Sequence, residues 1–127
     1  MKLILLLLLL IPGVALAQTT HGFTFTWGDP TERTDGQALD PDTEIQSYRM
    51  NCEGAESVER IVDRAATISL GGTEREYEWV DAVQRGGWYD CRMTAVDTDD
   101  LESDWSNVAS VRKLAQPNPP GLRGNRR

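Results

Sequence analysis

The stretch VQRGGWYDCRMTAVD, residues 83–97, decides the fold. From position 89 onward Tyr89, Cys91, Met93 and Ala95 alternate with Asp90, Arg92 and Thr94. In an extended chain that order puts one set on an apolar face and the other in water, the period-two pattern of a half-buried strand. It is the strongest core strand in the chain, and its neighbours are read outward from it.

Other segments repeat the pattern. Residues 22–27, GFTFTW, set Phe23, Phe25 and Trp27 opposite Thr24 and Thr26, and Gly28-Asp29-Pro30 ends that strand because proline has no N–H to give to a ladder. Residues 45–53 place Tyr48, Met50 and Cys52 in phase against Arg49 and Asn51. Residues 66–80 read as a hairpin turning at Gly71-Gly72, with Tyr77 and Trp79 inward. Residues 58–64, VERIVDR, satisfy either a short helix or an edge strand, and the strand fits their neighbours. A last strand is expected over 106–113. Between these lie turn-rich loops at 31–44, pinned by Leu39 and Ile45, and an acidic loop at 97–104. About seven short strands separated by turn chemistry describe an all-β fold, a sandwich of two antiparallel sheets.

The ends read differently. Lys2, an unbroken apolar run from Leu3 to Ile11, the break at Pro12-Gly13 and the small residues around Ala17 form a signal peptide over 1–17, cut after Ala17. The run is too short to span a bilayer, so no membrane span is expected once it is removed. Residues 115–127 hold three prolines, two glycines and little to bury, and are expected to be a disordered tail containing Arg123, Arg126 and Arg127. The domain between, 18–114, is secreted on this reading, to a periplasmic or extracellular site.

Without Lys2 the chain has 12 basic and 20 acidic residues, a net charge of −8; without the tail arginines as well, 9 against 20 gives −11. Nucleic acid is excluded as a partner, because its binders must supply cations to displace phosphate counterions. In an oxidising compartment two cysteines, Cys52 and Cys91, favour a disulfide over a pair of buried thiols.

The placement of these segments resembles a fibronectin type III domain over residues 22–114. FTFTW with Pro30 resembles the family's strand B, an inward Trp27 followed three residues later by proline. EIQSYRMNC resembles strand C, with Tyr48 at the inward aromatic position. VQRGGWYDCRMTAV resembles the corner between strands E and F, with Val83 as its apolar residue and Tyr89 as its tyrosine. The resemblance implies an immunoglobulin-like β-sandwich in which the Tyr89 hydroxyl bonds to backbone near residues 83–85. Arg85 stands where the family often has proline. ESDWSNVASV resembles the F to G turn and strand G. One departure is that only residues 18–21 remain for strand A, too few for a normal strand, which leaves strand B with an open edge.

On the family's topology strands C and F are antiparallel neighbours. That implies Cys52 opposite Cys91, Met50 opposite Met93 and Tyr48 opposite Ala95, and a bridge worth about 4 kcal/mol by chain entropy. Trp105-Ser106 is half of the Trp-Ser-x-Trp-Ser signature of cytokine-receptor members, whose tryptophan stacks on strand F arginines. The resemblance implies Trp105 over Arg92, with Arg49 beside it, a contact of about 1 kcal/mol. Trp88, by parity with Tyr89, points outward and with Arg49 and Arg92 forms the candidate binding face, against the alternative that a neighbouring loop covers it.

Asp97, Asp99 and Asp100 resemble the start of a calcium loop, but its glycine and closing glutamate are absent and a solvated loop is read instead. No metal and no cofactor is assigned. With His21 and Lys113 as the single His and Lys after the leader, and no nucleophile set beside a base, no catalytic residues are assigned and the chain is not read as an enzyme. The expectation is a secreted binding or adhesion module facing a protein or glycan surface. The alternative is an assembly subunit of the cell envelope that completes its sheet with a partner strand. A hydrolase accessory module ranks third, since no catalytic domain is attached.

Overall fold

A computed structural model describes residues 16–18 and 22–125. The apolar run of the leader, His21, Arg126 and Arg127 lie outside the described residues. Eight strands run in chain order: β1 Leu16–Gln18, β2 Gly22–Gly28, β3 Ile45–Glu53, β4 Ser57–Asp63, β5 Ile68–Gly71, β6 Glu74–Val80, β7 Gly87–Asp97 and β8 Ala109–Lys113. They form two antiparallel sheets, β1-β2-β6-β5 and β4-β3-β7-β8. The fold is therefore an all-β, two-sheet sandwich.

Alternation explains which side chains meet between the sheets. Phe23, Phe25 and Trp27 of β2 and Trp79 of β6 face Tyr48, Met50 and Cys52 of β3, Tyr89, Cys91 and Met93 of β7, and Val111 of β8, all buried. Two aromatic pairs cross the gap, Trp27 with Tyr48 at 5.0 Å and Phe23 with Tyr89 at 5.7 Å between ring centroids. Such pairs add about 1 kcal/mol each beyond the area they bury.

The long strand β7 is held on both sides. Against β3 the register sets Cys52 opposite Cys91, Met50 opposite Met93 and Tyr48 opposite Ala95. Cys52 and Cys91 are joined by a disulfide between directly paired residues of one sheet, their Cα atoms 4.1 Å apart. At its start the Tyr89 hydroxyl donates to the Arg85 carbonyl at 2.8 Å. Glu56, in the turn between β3 and β4, accepts from the backbone N–H groups of Gln84 and Arg85 at 2.6 and 2.5 Å. Those N–H groups hold its carboxyl below the usual range. The turn can come this close because residue 54 is glycine: a Cβ there would sit 2.5 Å from the Trp88 carbonyl.

Several boundaries differ from the sequence reading. Residues 57–63 are a strand on the edge beside β3, and the turn after them is a single 3-10 turn, Arg64–Ala66. The loop over 31–44 contains a helical turn, α1, Pro41–Glu44, because Asp40 caps it through Asp42 N and Pro41 sits where no N–H is needed. The last strand begins at Ala109 and not at Ser106. Residues 115–125 are exposed and carry no regular secondary structure.

The edge of β2 is not left open. Leu16, Ala17 and Gln18 pair with Phe25, Thr24 and Phe23. The bond at which the leader is expected to be cut, Ala17–Gln18, thus lies inside β1.

Replacing both Cys52 and Cys91 by alanine is expected to lower the unfolding free energy by about 2–4 kcal/mol. Urea denaturation measures it; an unchanged midpoint would show that the bridge does not constrain the chain.

Candidate functional site

The outward face of the sheet β4-β3-β7-β8 carries the residues that the core does not use. On β7 these are Trp88, Asp90, Arg92 and Thr94, opposite the buried Tyr89, Cys91 and Met93. Trp88 is 63% exposed. Its register partner on β8 is Arg112, also exposed, and Asp90 faces Ser110, whose hydroxyl donates to the Asp90 carboxylate at 2.9 Å. Arg92 lies opposite Asn51, and Arg49 opposite Thr94.

The upper half of this face is covered by the chain returning from the end of β7. Glu102 bridges to Val96 and its carboxylate accepts from the Thr94 hydroxyl at 2.5 Å. Ser103 and Ser106 then pair with β7 twice each. Their N–H groups donate to Ala95 and Met93 carbonyls at 2.9 and 2.8 Å, and their hydroxyls accept from Ala95 and Met93 N–H groups at 2.9 and 3.0 Å. Hydroxyl oxygens stand in for the carbonyls of a regular ladder. That is why β8 starts only at Ala109.

The same return places Trp105 over Arg92, with the guanidinium carbon 4.1 Å from the ring centroid. Arg49 is committed elsewhere. Its Nε lies 3.3 Å from the Glu102 carboxylate, an ionic contact without hydrogen-bond geometry. Of the three candidate face residues, then, Arg49 sits under Glu102, Arg92 sits under Trp105, and Trp88 stands free of loop cover. Trp88 and Arg92 share one face of β7 four residues apart, about 13 Å by strand rise.

At one end of the sandwich is a buried polar cluster with no sequence signature. The Asp29 carboxylate accepts from Trp27 Nε1 at 3.2 Å, from the Tyr48 hydroxyl at 2.6 Å and from Arg64. Arg64 also donates to the Tyr48 oxygen and to Asp42, both at 2.8 Å. Burial first, and the Asp29 carboxylate second, push the Tyr48 hydroxyl well above its usual range. The ion pair meets the desolvation cost of Asp29 and ties the 3-10 turn to α1 and β2, which is a structural task.

Asp97 is a correction to the solvated-loop reading. It is buried, and its carboxylate accepts from Arg33 at 2.8 Å and from the N–H groups of Asp99 and Leu101 at 2.9 and 2.8 Å. The oxygens that a cation would need are thus occupied by donors from the chain itself. Among the described residues no group of three or more His, Cys, Asp and Glu side chains is placed to hold a metal. An open groove of about 290 Å³ runs between the end of β2 and the 103–107 return, lined by Trp27, Pro30, Tyr48, Met93, Ser106 and Asn107. The hydroxyl of Ser106 in it serves the β7 backbone.

Sequence reading missed Arg112, the Asp29–Arg64 pair and the role of Ser103. Arg112 could have been found from its parity with the inward Val111. Ser103 stands at the first serine of the signature quoted above, so three of its four specified residues are present. No protein family, curated protein or solved structure matches the chain.

The Asp97 carboxyl is held below the usual carboxylate range, first by the hydrogen bond from Arg33 and then by the Leu101 N–H. A depressed folded value stabilises the fold above the unfolded pKa of about 3.9, and that stabilisation is lost as pH falls through the folded value. Asp97→Asn is therefore expected to melt below the parent at pH 6 and to converge with it toward pH 2, in melting curves recorded across that range. A gap that stays constant with pH would sink this assignment.

Proposed function

We propose that the chain is a non-enzymatic binding or adhesion module of fibronectin type III type, secreted by way of the 1–17 leader, and that it recognises its partner with the outward face around Trp88. The observation that carries this reading is the exposed indole on a strand rigid enough to present it. Trp88 sits within an eleven-residue strand paired to β3 and β8, next to the Tyr89 corner and three residues from the disulfide. An aromatic held that way meets a partner at little entropic cost, and exposed tryptophan and arginine are the residue types that dominate binding energy.

The family assignment is supported by two local arrangements: the tyrosine corner at Tyr89 and the Trp105–Arg92 stack. Export is supported by the disulfide, which forms and persists in oxidising compartments.

The test is a pull-down from native extract with the exported chain and its Trp88→Ala variant. At least one captured component should be lost from the variant while its melting temperature stays at the parent value. Identical captures from both proteins would count against the face.

A second reading, an envelope assembly subunit, is favoured by the position of β1. Cutting after Ala17 removes Leu16 and Ala17 from the edge of β2, opposite Phe25 and Thr24, and leaves donors and acceptors that a partner's strand can take up. Light scattering over a concentration series distinguishes the two. On the assembly reading a chain beginning at Gln18 self-associates while one beginning at Leu16 does not; two monomers of equal mass behaviour leave the binding reading alone.

A further inference from the structure

We propose that the exported chain pairs with a second copy of itself, β2 against β2, as a closed two-fold dimer, a step that rests on the assembly reading and names its partner. A cut after Ala17 takes everything before Gln18 away with the leader. The residues opposite Phe25 and Thr24 leave, and β2 becomes the rim of a sheet β2-β6-β5. Gln18, then the first residue, keeps one register partner, Phe23, and a chain end held by a single pairing frays. On its other side β2 is held by β6 along all seven residues, Gly22–Gly28, in an unbroken register. The vacated edge is therefore regular and held in place.

This edge lacks the features that keep the other rims from pairing. β4 carries Glu59, Arg60 and Asp63, β8 carries Arg112 and Lys113, and β5 is four residues long with a register irregularity between Ser69 and Gly71. Charge, shortness and irregularity protect a strand edge from a second chain. GFTFTWG has no charged residue and no proline. Its sequence also names the occupant, because it reads nearly alike in both directions about Phe25. A two-fold axis requires that where residue i meets j, j meets i. Antiparallel pairing centred on Phe25 sets that residue against Phe25 of the second copy, Phe23 against Trp27, Thr24 against Thr26 and Gly22 against Gly28. Aromatic residues then meet on the core side and threonines on the other, cross-strand pairs that sheets favour. A slip of one residue would set Phe25 against Thr24 and turn one copy's core face to water. Trp27, Gly28 and Pro30 at the end of the strand border the open groove, which leaves room for a second backbone alongside. The product is one six-stranded sheet, β5-β6-β2-β2-β6-β5, closed at two copies because the axis uses both vacated edges.

The experiment secretes the full chain through its own leader as Thr24→Cys or Thr26→Cys. Each variant alone, and the two mixed, are oxidised mildly and read by non-reducing intact mass. Both positions are half-buried on the outward side of β2, and Cys52 and Cys91 are buried in their own bridge. In the proposed register position 24 faces position 26 of the second copy. Position 24 and its own counterpart lie about 8 Å apart by strand rise and spacing, beyond the roughly 7 Å that a disulfide spans between Cα atoms. The mixture is therefore expected to yield about tenfold more disulfide-linked dimer than either variant alone. Unchanged melting temperatures will show that the variants fold. Linkage in Thr24→Cys alone, equal linkage in all three samples, or a mass that climbs past two copies in light scattering overturns the proposal. So does an exported chain whose mass shows Leu16 retained. If the mixture fails to link while the parent chain still self-associates in light scattering, this pairing falls and the assembly reading stands; if both fail, both fall.

Discussion

The structure depends on the direct pairing of β3 with β7, fixed where Cys52 meets Cys91. A strand slipped by one residue turns every side chain to the opposite face, so register is the variable that a sandwich must control. Here it is controlled at three points along one strand. The disulfide holds the middle, and the Tyr89 hydroxyl on the Arg85 carbonyl holds the start. The two serines of the return hold the far end, at Met93 and Ala95. With β7 locked, Phe23 meets Tyr89 and Trp27 meets Tyr48 across the gap, and the two sheets close on a common core.

The return after β7 replaces a piece of strand with side-chain chemistry. A regular β8 reaching Ser106 would leave the residues before it to form a short hairpin away from the sheet. Serine hydroxyls at 103 and 106 accept the N–H groups that a ladder would have used, and the chain between them arches outward enough to lay Trp105 on Arg92. The corner at the other end uses the same economy of donors. Arg85 keeps an N–H, and Glu56 accepts it together with that of Gln84. A proline at position 85 would remove one of the two bonds by which the β3–β4 turn grips the corner.

What could be read from the chain divides by how local the determinant is. The period of two in residues 89–95 and 23–27 announces strands and their buried faces with no knowledge of neighbours, and the sandwich follows from the number of such segments. The β3–β7 register needed a topology, which the resemblance around Tyr48, Tyr89 and Trp105 supplied. The buried Asp29–Arg64 pair was beyond reach because it joins the end of β2 to a 3-10 turn thirty-five residues later, and neither flank carries a pattern. Asp97 was misread for a related reason. An aspartate in an acidic run looks solvated until Arg33, sixty-four residues upstream, comes to rest on it. Arg112 was within reach, since it stands opposite Trp88 as soon as Tyr89 is set against Val111.

One strand thus carries two separable tasks. Tyr89, Cys91 and Met93 are buried and decide whether the chain folds, while Trp88, Asp90 and Arg92 alternate with them and point the other way. Changes on the outward set leave the core contacts in place, so this face is free to vary without loss of the fold. A large exposed indole carries a liability in solubility, and the acidic charge of the domain offsets it. Arg92 is where the two tasks touch. The Trp105 stack on it closes the return over β7 and at the same time sets a second indole on the face that Trp88 begins, so the contact that completes the fold also sets the spacing of the surface.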